Sequence, residues 1–252
     1  MSHPDGVSDR AEPATLAGGD LFEERRRIMA GGVFLALVGA VAILWELVAW
    51  HGWLDAFFWS KPSAILFQLL DWWRSGTPHG PLLAQAGVTC GEAALGLAIG
   101  SAAGGALGGA CVRHAVSRDV LRMVLTALTL PLRIALGAAF ALGLGLGLGS
   151  KIAFASALVA LLAAGDALAG RQPLATLRLR FSLALVGAVV GETFMAQHGL
   201  GVLIDESVHH FNASGVYAAL VVLGAVALAG DGLLGLVERR YGPRTREQAP
   251  RD

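Results

Sequence analysis

Ionisable side chains stand at three places inside or at the end of apolar stretches of the sequence. Glu92 and Arg133 each interrupt a long apolar run, and Glu192 closes another. Charged groups are costly in the interior of a membrane, and those found there usually lie on a path for a substrate or an ion. The sequence therefore predicts a substrate path that includes Arg133, Glu92 and Glu192.

Arg133 has two interpretations, and both stay open at this point. It lies two residues after Pro131, whose missing amide donor loosens a helix. A guanidinium at such a point can meet an anionic solute, for example a sulfonate. In the alternative, Arg133 pairs with Glu92 or Glu192 and only neutralises a buried charge.

Motifs of the common enzyme classes do not occur in the chain. A P-loop needs Gly-Lys-Ser/Thr after a glycine-rich turn, but the only lysines are Lys61 and Lys151, and the run GLGLGLGS before Lys151 has the wrong register. The sequence also has no Gly-x-Ser-x-Gly or His-Glu-x-x-His pattern. We therefore expect a protein that is not an enzyme and that has no cofactor.

Glycines recur at intervals of four in two of the apolar runs. Small residues at this spacing line one face of a helix and allow a second helix to approach closely. The sequence predicts helix-packing grooves at both sets, which are Gly96, Gly100, Gly104 and Gly108, and then Gly143 with Gly147 and Gly145 with Gly149.

Three histidines, His198, His209 and His210, lie near Asp205 and Glu206. Their residue types would suit zinc, but no cysteine accompanies them. We interpret them as solvated loop histidines and expect no metal, with a zinc site as the less favoured alternative.

Composition places the chain in the membrane. Of its 252 residues 55% are hydrophobic and 15% charged, and the mean hydropathy is +0.61. A soluble domain carries about a quarter charged residues. The formal net charge is zero, so the chain as a whole has no basic face for nucleic acid.

Apolar runs of about 20 residues predict transmembrane helices. We expect an all-α, polytopic membrane protein with about six such helices, and the fifth is weak because Arg178 and Arg180 fall in its first turns and must reach the interface. The aromatic segment between the first two spans predicts a helix on the membrane surface. The predicted domains are a disordered cytoplasmic tail (1–27), a transmembrane domain (28–240) and a cytoplasmic tail (241–252). The predicted spans are 28–50, 88–112, 120–148, 152–169, 174–190 and 216–237.

Basic residues fall mostly on one side of this six-span arrangement. The other side holds only Lys61, Arg74 and Lys151. Cytoplasmic loops are the ones enriched in lysine and arginine, so both termini are predicted to be cytoplasmic. The residues on the predicted cytoplasmic side are Arg10, Arg25, Arg26, Arg27, Arg113, Arg118, Arg122, Arg171, Arg178, Arg180, Arg239, Arg240, Arg244, Arg246 and Arg251.

Four segments, read in order, resemble the permease subunits of binding-protein-dependent ABC importers for taurine, aliphatic sulfonates, nitrate and pyrimidine precursors. They are FFWSKPSAIL, GSKIA, LRLRFSLALVGAVVGE and HGLGVLIDES. The resemblance implies a bacterial inner-membrane protein with six helices that works as a homodimer or with a paired permease. It implies two partners, an ABC ATP-binding subunit and a periplasmic or extracellular solute-binding protein, and a small anionic solute.

The segment GDALAGRQPLATLRLR, residues 165–180, departs from that family. The family has a longer loop here, with a Glu-Ala-Ala motif on a helix that docks into the ATPase, whereas Glu92-Ala93-Ala94 of this chain lies inside an apolar run. Within the segment, Pro173 and Arg180 match a proline and an arginine of the family. We expect ATPase docking to be lost or severely weakened. Any remaining contact would come from the ATPase-facing residues Arg171, Gln172, Pro173, Arg178 and Arg180.

Two other functions remain open. A permease without ATPase coupling would act as a degenerate subunit or scaffold. A self-contained carrier would use Arg133, Glu92 and Glu192 as an ion or proton relay.

Overall fold

The structure is a computed structural model that describes residues 14–53, 55–128, 136–137, 139–140, 142–145, 147–195 and 197–241. Its regular elements are helical, and the only β-type pairing in these residues is a single bridge between Thr77 and Gly80. The helices are α1 (Ala14–Trp50), α2 (Ala56–Trp59), α3 (Pro62–Ser75), α4 (Leu82–Cys111), α5 (Ala115–Ala127), α6 (Leu148–Leu168), a 3₁₀ turn (Pro173–Thr176), α7 (Leu177–Met195), α8 (Leu200–His209) and α9 (Ala213–Tyr241).

The chain divides into two compact units, Met1–Ala56 and Phe57–Asp252. The transmembrane domain over 28–240 stays a prediction. In the first unit, α1 begins at Ala14. The predicted tail, residues 1–27, therefore overlaps α1 from residue 14 onward, and residues 1–13 lie outside the described part. Alanine, leucine, glutamate and arginine extend a helix at little cost once the apolar span has nucleated it.

Five helices in the described residues are long and apolar enough to cross a membrane, and they indicate a polytopic membrane protein. Each overlaps a predicted span. Their membrane-length portions are Gly31–Trp50, Leu82–Cys111, Leu148–Leu168, Pro173–Phe194 and Ala213–Arg240.

The predicted third span, 120–148, is not one continuous helix. Helix α5 ends at Ala127, residues 129–135 lie outside the described part, and the chain turns at Gly145, whose φ of +79° is in the left-handed region. Gly147 then adopts an extended backbone just before α6 begins.

The glycine groove on α4 is confirmed. A side chain added at Gly96 would meet Ala155 of α6 at 2.7 Å, and one added at Gly108 would meet Ala167 at 2.6 Å. Contacts therefore advance along both helices in the same direction. It follows that α4 and α6 run parallel and that their backbones touch along the groove.

The second predicted glycine groove is wrong. A side chain added at Gly143, Gly145, Gly147 or Gly149 would meet nothing within 4 Å among the residues that the structure describes. Alternating glycine and leucine has a period of two, whereas one face of a helix needs a period near 3.6.

Helix α7 packs antiparallel to α6. A side chain added at Gly187 would meet Ala155 at 2.8 Å, and one at Gly191 would meet Lys151 at 3.3 Å. A small apolar core joins α4, α6 and α7. Its buried members are Ala93, Val159, Phe181, Ala184, Leu185 and Ala188.

The aromatic segment forms α2 and α3, and its placement on a membrane surface stays a prediction. It is joined to the start of α9 by two hydrogen bonds. Ser60 bonds Ser214 at 2.8 Å, and Asn212 donates to Gln68 at 3.3 Å.

Candidate functional site

Three ionisable side chains are buried together at one end of the α4–α6–α7 packing. Glu92 of α4 is 4% exposed, Lys151 of α6 is 3% exposed and Glu192 of α7 is 1% exposed. Because α6 is parallel to α4 and antiparallel to α7, the N-terminal parts of α4 and α6 meet the C-terminal part of α7. We call these three residues the Lys151 cluster.

Lys151 lies in the first turn of α6 and its ammonium group donates a hydrogen bond to Glu92 Oε1. The other oxygen, Glu92 Oε2, is buried and accepts no hydrogen bond from the residues that the structure describes. Within the described residues, only one of the two Glu92 carboxyl oxygens therefore has a hydrogen-bond donor.

Glu192 is held by two donors from different elements. Thr89 Oγ1 of α4 donates to Oε1 at 2.7 Å, and the Gly201 amide donates to Oε2 at 2.6 Å. Thr89 Oγ1 also accepts the Leu200 amide at 2.9 Å. Glu192 therefore connects α4, α7 and the first turn of α8.

The third amide at the start of α8 has its own side-chain partner. The Gly199 amide donates to Gln85 Oε1 at 2.8 Å, and Gln85 Nε2 donates to the His79 carbonyl at 2.7 Å. Free amides at a helix N-terminus favour negative and oxygen partners. Three side-chain oxygens accept these amides, from Gln85, Thr89 and Glu192. The hydrogen bonds fix α8 against the Lys151 cluster.

Gly199 permits this close approach for two reasons. Its φ of +124° disfavours any residue with a side chain, and a Cβ at this position would overlap the Glu192 carboxyl. The turn between α7 and α8 therefore depends on glycine at this point.

A cavity of about 590 Å³ adjoins the cluster. Its polar wall includes Lys151, Glu192, Gln197, His198 and Asp205, and Val88, Phe194 and Val202 are among its apolar members. This is the size of a small-molecule pocket. The Lys151 cluster thus borders a space that can hold a small solute or water.

The other end of α6 carries a second buried ion pair. Asp166 is 1% exposed and Arg180 of α7 is 4% exposed, and the guanidinium donates to Asp166 Oδ2 at 3.0 and 3.3 Å. Arg171 is 64% exposed and lies 3.4 Å from Asp166 Oδ1. We call Asp166 and Arg180 the Asp166 pair.

The sequence placed Arg180 at the membrane interface and in the ATPase-facing loop. The structure buries its side chain within the chain, and its depth in a membrane stays a prediction. The cause of this burial is Asp166, which lies opposite Arg180 in the antiparallel α6–α7 contact and accepts its guanidinium hydrogen bonds.

The remaining residues of the predicted ATPase-facing loop lie at the surface. Arg178 lies 3.1 Å from Glu238 and 3.6 Å from Asp231, both on α9. Gln172 and Pro173 are exposed at the start of the 3₁₀ turn. Of this loop, only Arg171 is a largely exposed arginine.

The connection between α6 and α7 is short, as the sequence predicted. Only residues 169–172 separate α6 from the 3₁₀ turn, which leads directly into α7. Gly170, with a φ of +68°, ends the preceding helix in the usual way. The connection contains no α-helix of its own.

The structure brings together two of the three predicted path residues. Glu92 and Glu192 meet at the Lys151 cluster, and Arg133 lies outside the described residues. Sequence analysis missed Lys151 as their partner, although a glutamate inside an apolar run needs a cation and the chain has few. Gln85 and Thr89 carried no sequence signal of their role, because it depends on contact with α8.

Of the three predicted loop histidines, His209 lies 3.4 Å from the Asp205 carboxylate, and the ring of His198 lies edge-on to that of His79. His79, which the sequence did not single out, lies 3.0 Å from Glu206. In the part of the chain that the structure describes, no three histidine, cysteine or acidic residues are grouped so as to hold a metal ion.

A scan against protein-family models, a search of curated proteins and a search of solved structures each find no match to this chain.

Proposed function

We propose that the chain is the membrane-spanning permease subunit of an importer of the ABC type. One observation carries the proposal. The most specific pieces of the resemblance lie around Lys151, around Glu192 and at residues 199–201. Lys151 comes about 40 to 50 residues before the other two, yet the three pieces meet beside the cavity. Ligand sites are typically apolar pockets with a few polar groups, and the lining of this cavity has that character.

The helix directions favour six membrane crossings. Since α4 and α6 are parallel, the chain between residues 112 and 147 returns to the end at which α4 begins. With α1, α4, α6, α7 and α9, this return makes a sixth crossing. An even number leaves both termini on one side of the inner membrane.

Basic residues favour the cytoplasm for the Asp166 end of the helices. Arg113 follows α4, Arg171 follows α6, and Arg239 lies in the last turn of α9. The positive-inside rule then places the Lys151 cluster and its cavity towards the outside. A solute delivered by an external binding protein would enter there.

The class of solute depends on residues of the cavity wall and on Arg133, which lies outside the described residues. The lysine on the cavity wall is already paired with Glu92, so selection of an anion would rest on Arg133. A small solute of the sulfonate or nitrate type remains the proposal for the importer.

In this proposal a separate subunit hydrolyses ATP. The permease acts as a homodimer or together with a second permease. The short α6–α7 connection favours weak docking, because Arg178 and Arg180 already have acidic partners in this chain. This observation supports the second candidate, a permease-like scaffold or carrier without ATPase coupling.

Co-purification tests the proposal. The tagged chain is isolated from its native membranes at low and at high salt, and ATP hydrolysis is measured in each eluate, with an unrelated tagged membrane protein as the control. We expect an ATPase at low salt that is lost at high salt, since exposed charges are screened. No ATPase at either salt would reject the importer and favour the carrier or scaffold.

A further inference from the structure

The Lys151 cluster has more acidic than basic groups. Two carboxyl groups, Glu92 and Glu192, share the surroundings of one ammonium group, Lys151, and all three side chains are at least nine-tenths buried. An uncompensated charge is costly in such a place, and a buried carboxylate can avoid the cost by binding a proton.

The two carboxyl groups are also neighbours. Thr89 lies one helical turn before Glu92 on α4, and its hydroxyl donates to Glu192 Oε1 at 2.7 Å. Glu92 Oε2 has no hydrogen-bond donor among the described residues. An ionised carboxylate only accepts, so two carboxyl groups form a hydrogen bond only when one of them carries a proton.

The described residues around the pair bring no second cation. Helix α4 contributes the neutral side chains of Gln85 and Thr89, and α6 contributes Lys151. Helix α8 contributes backbone amides, and Asp205 and His198 lie further along the cavity wall. One proton would balance the cluster.

We propose that Glu92 and Glu192 share one proton beside Lys151 and that this cluster is a proton-binding site open to the cavity. A hydronium ion in the cavity water loses one proton, so one of its O–H bonds breaks. A new O–H bond forms at one carboxylate oxygen, and a neutral water molecule is left. The site needs no metal.

Access to the site comes from the same cavity. Lys151 and Glu192 both line it, so a proton can pass between the cavity and the carboxyl pair without crossing the apolar core of α4, α6 and α7. The role of the proton rests on the proposed function. Proton binding would accompany solute transport, and the proton would drive it where ATPase docking is weak.

Infrared spectroscopy of the full chain in lipid vesicles tests the site. A protonated carboxyl has its own C=O stretching band, which shifts in heavy water. We expect this band at neutral pH in the wild type and its loss in both Glu92→Gln and Glu192→Gln, because the remaining carboxylate is then balanced by Lys151. Glu238→Gln, at the other end of the bundle, is the matched control and keeps the band.

Two results would overturn the proposal. One is a band that persists unchanged in both glutamine variants. The other is the absence of the band in the wild type. If the band then appeared in Arg133→Gln, Arg133 would be the cation that balances the second carboxylate. Should Glu192→Gln not fold, because its contact with the Gly201 amide is weakened, Glu92→Gln alone decides. None of these spectra depends on whether an ATPase co-purifies, so the two proposals fail separately.

Discussion

Helix α6 carries a buried charge group near each end, and the two groups differ in balance. The Asp166 pair matches one carboxylate with one buried guanidinium and has Arg171 at its exposed edge. The Lys151 cluster places two carboxyls around one ammonium and borders a cavity. The two ends are fifteen residues apart on α6, which is about 22 Å along a helix.

The difference lies in what each group can exchange. The Asp166 pair balances one carboxylate with one guanidinium, which stays protonated at any ordinary pH, so the pair is suited to fixing α6 against α7. The Lys151 cluster has one carboxyl group more than it has ammonium groups, and binding a proton removes this imbalance. The Lys151 cluster is therefore the end at which binding or proton exchange would occur, and the Asp166 pair is the end that holds the helices together.

Reporter fusions separate the two ends most completely. A reporter fused after Arg240, near the Asp166 end, should be active only in the cytoplasm, and one inserted at His210, beyond α8, only outside. This all-or-none difference follows from six crossings and the basic residues at the Asp166 end. Activity of both reporters on the same side would contradict the six-crossing proposal.

Asp166→Asn should have the largest effect on stability. It leaves the Arg180 guanidinium buried without a carboxylate, and removing one partner of a buried pair costs roughly 3–5 kcal/mol. Thermal unfolding in detergent measures the change. Asp231→Asn, the same substitution at an exposed partner of Arg178, is the control and should cost less than about 1 kcal/mol. Equal effects of the two variants would show that the Asp166 pair does not stabilise the α6–α7 contact.

Sequence patterns identified the helices better than the contacts between charges. The five membrane-length helices and the glycine groove on α4 follow from apolar length and four-residue spacing, which are local properties. The partner of Glu92 is set by the parallel packing of α4 and α6, and Arg180 turned inward because Asp166 lies opposite it. Such pairings depend on which helices are neighbours, and no local pattern specifies that.

Thr89→Val should have an intermediate effect. It removes the hydroxyl that donates to Glu192 and accepts the Leu200 amide, so two buried polar groups lose a partner at a cost of about 1–3 kcal/mol. Thr193→Val is a matched control, because within the described residues the Thr193 hydroxyl donates to the Val190 carbonyl of its own helix and to no other element. Hydrogen exchange at the Leu200 amide measures the loosening of α8. Unchanged protection there would contradict the role given to Thr89.

Arg171→Glu should have the smallest effect on the isolated chain. The side chain is largely exposed, and a single exposed charge typically contributes under about 1 kcal/mol. Its effect should instead be seen in ATPase association, which the substitution weakens further at low salt. Tight association that resists both salt and Arg171→Glu would show that docking does not depend on this loop.

The number of protonated carboxyl groups in Lys151→Met tests the central claim, that the Lys151 cluster takes up protons to balance its charge. Without the ammonium group, both Glu92 and Glu192 must be neutral, so the protonated-carboxyl infrared band at neutral pH should double relative to the wild type. Lys61→Met, at the only other lysine, is the control and should leave the band unchanged. A band of the same size in Lys151→Met and the wild type would contradict the claim.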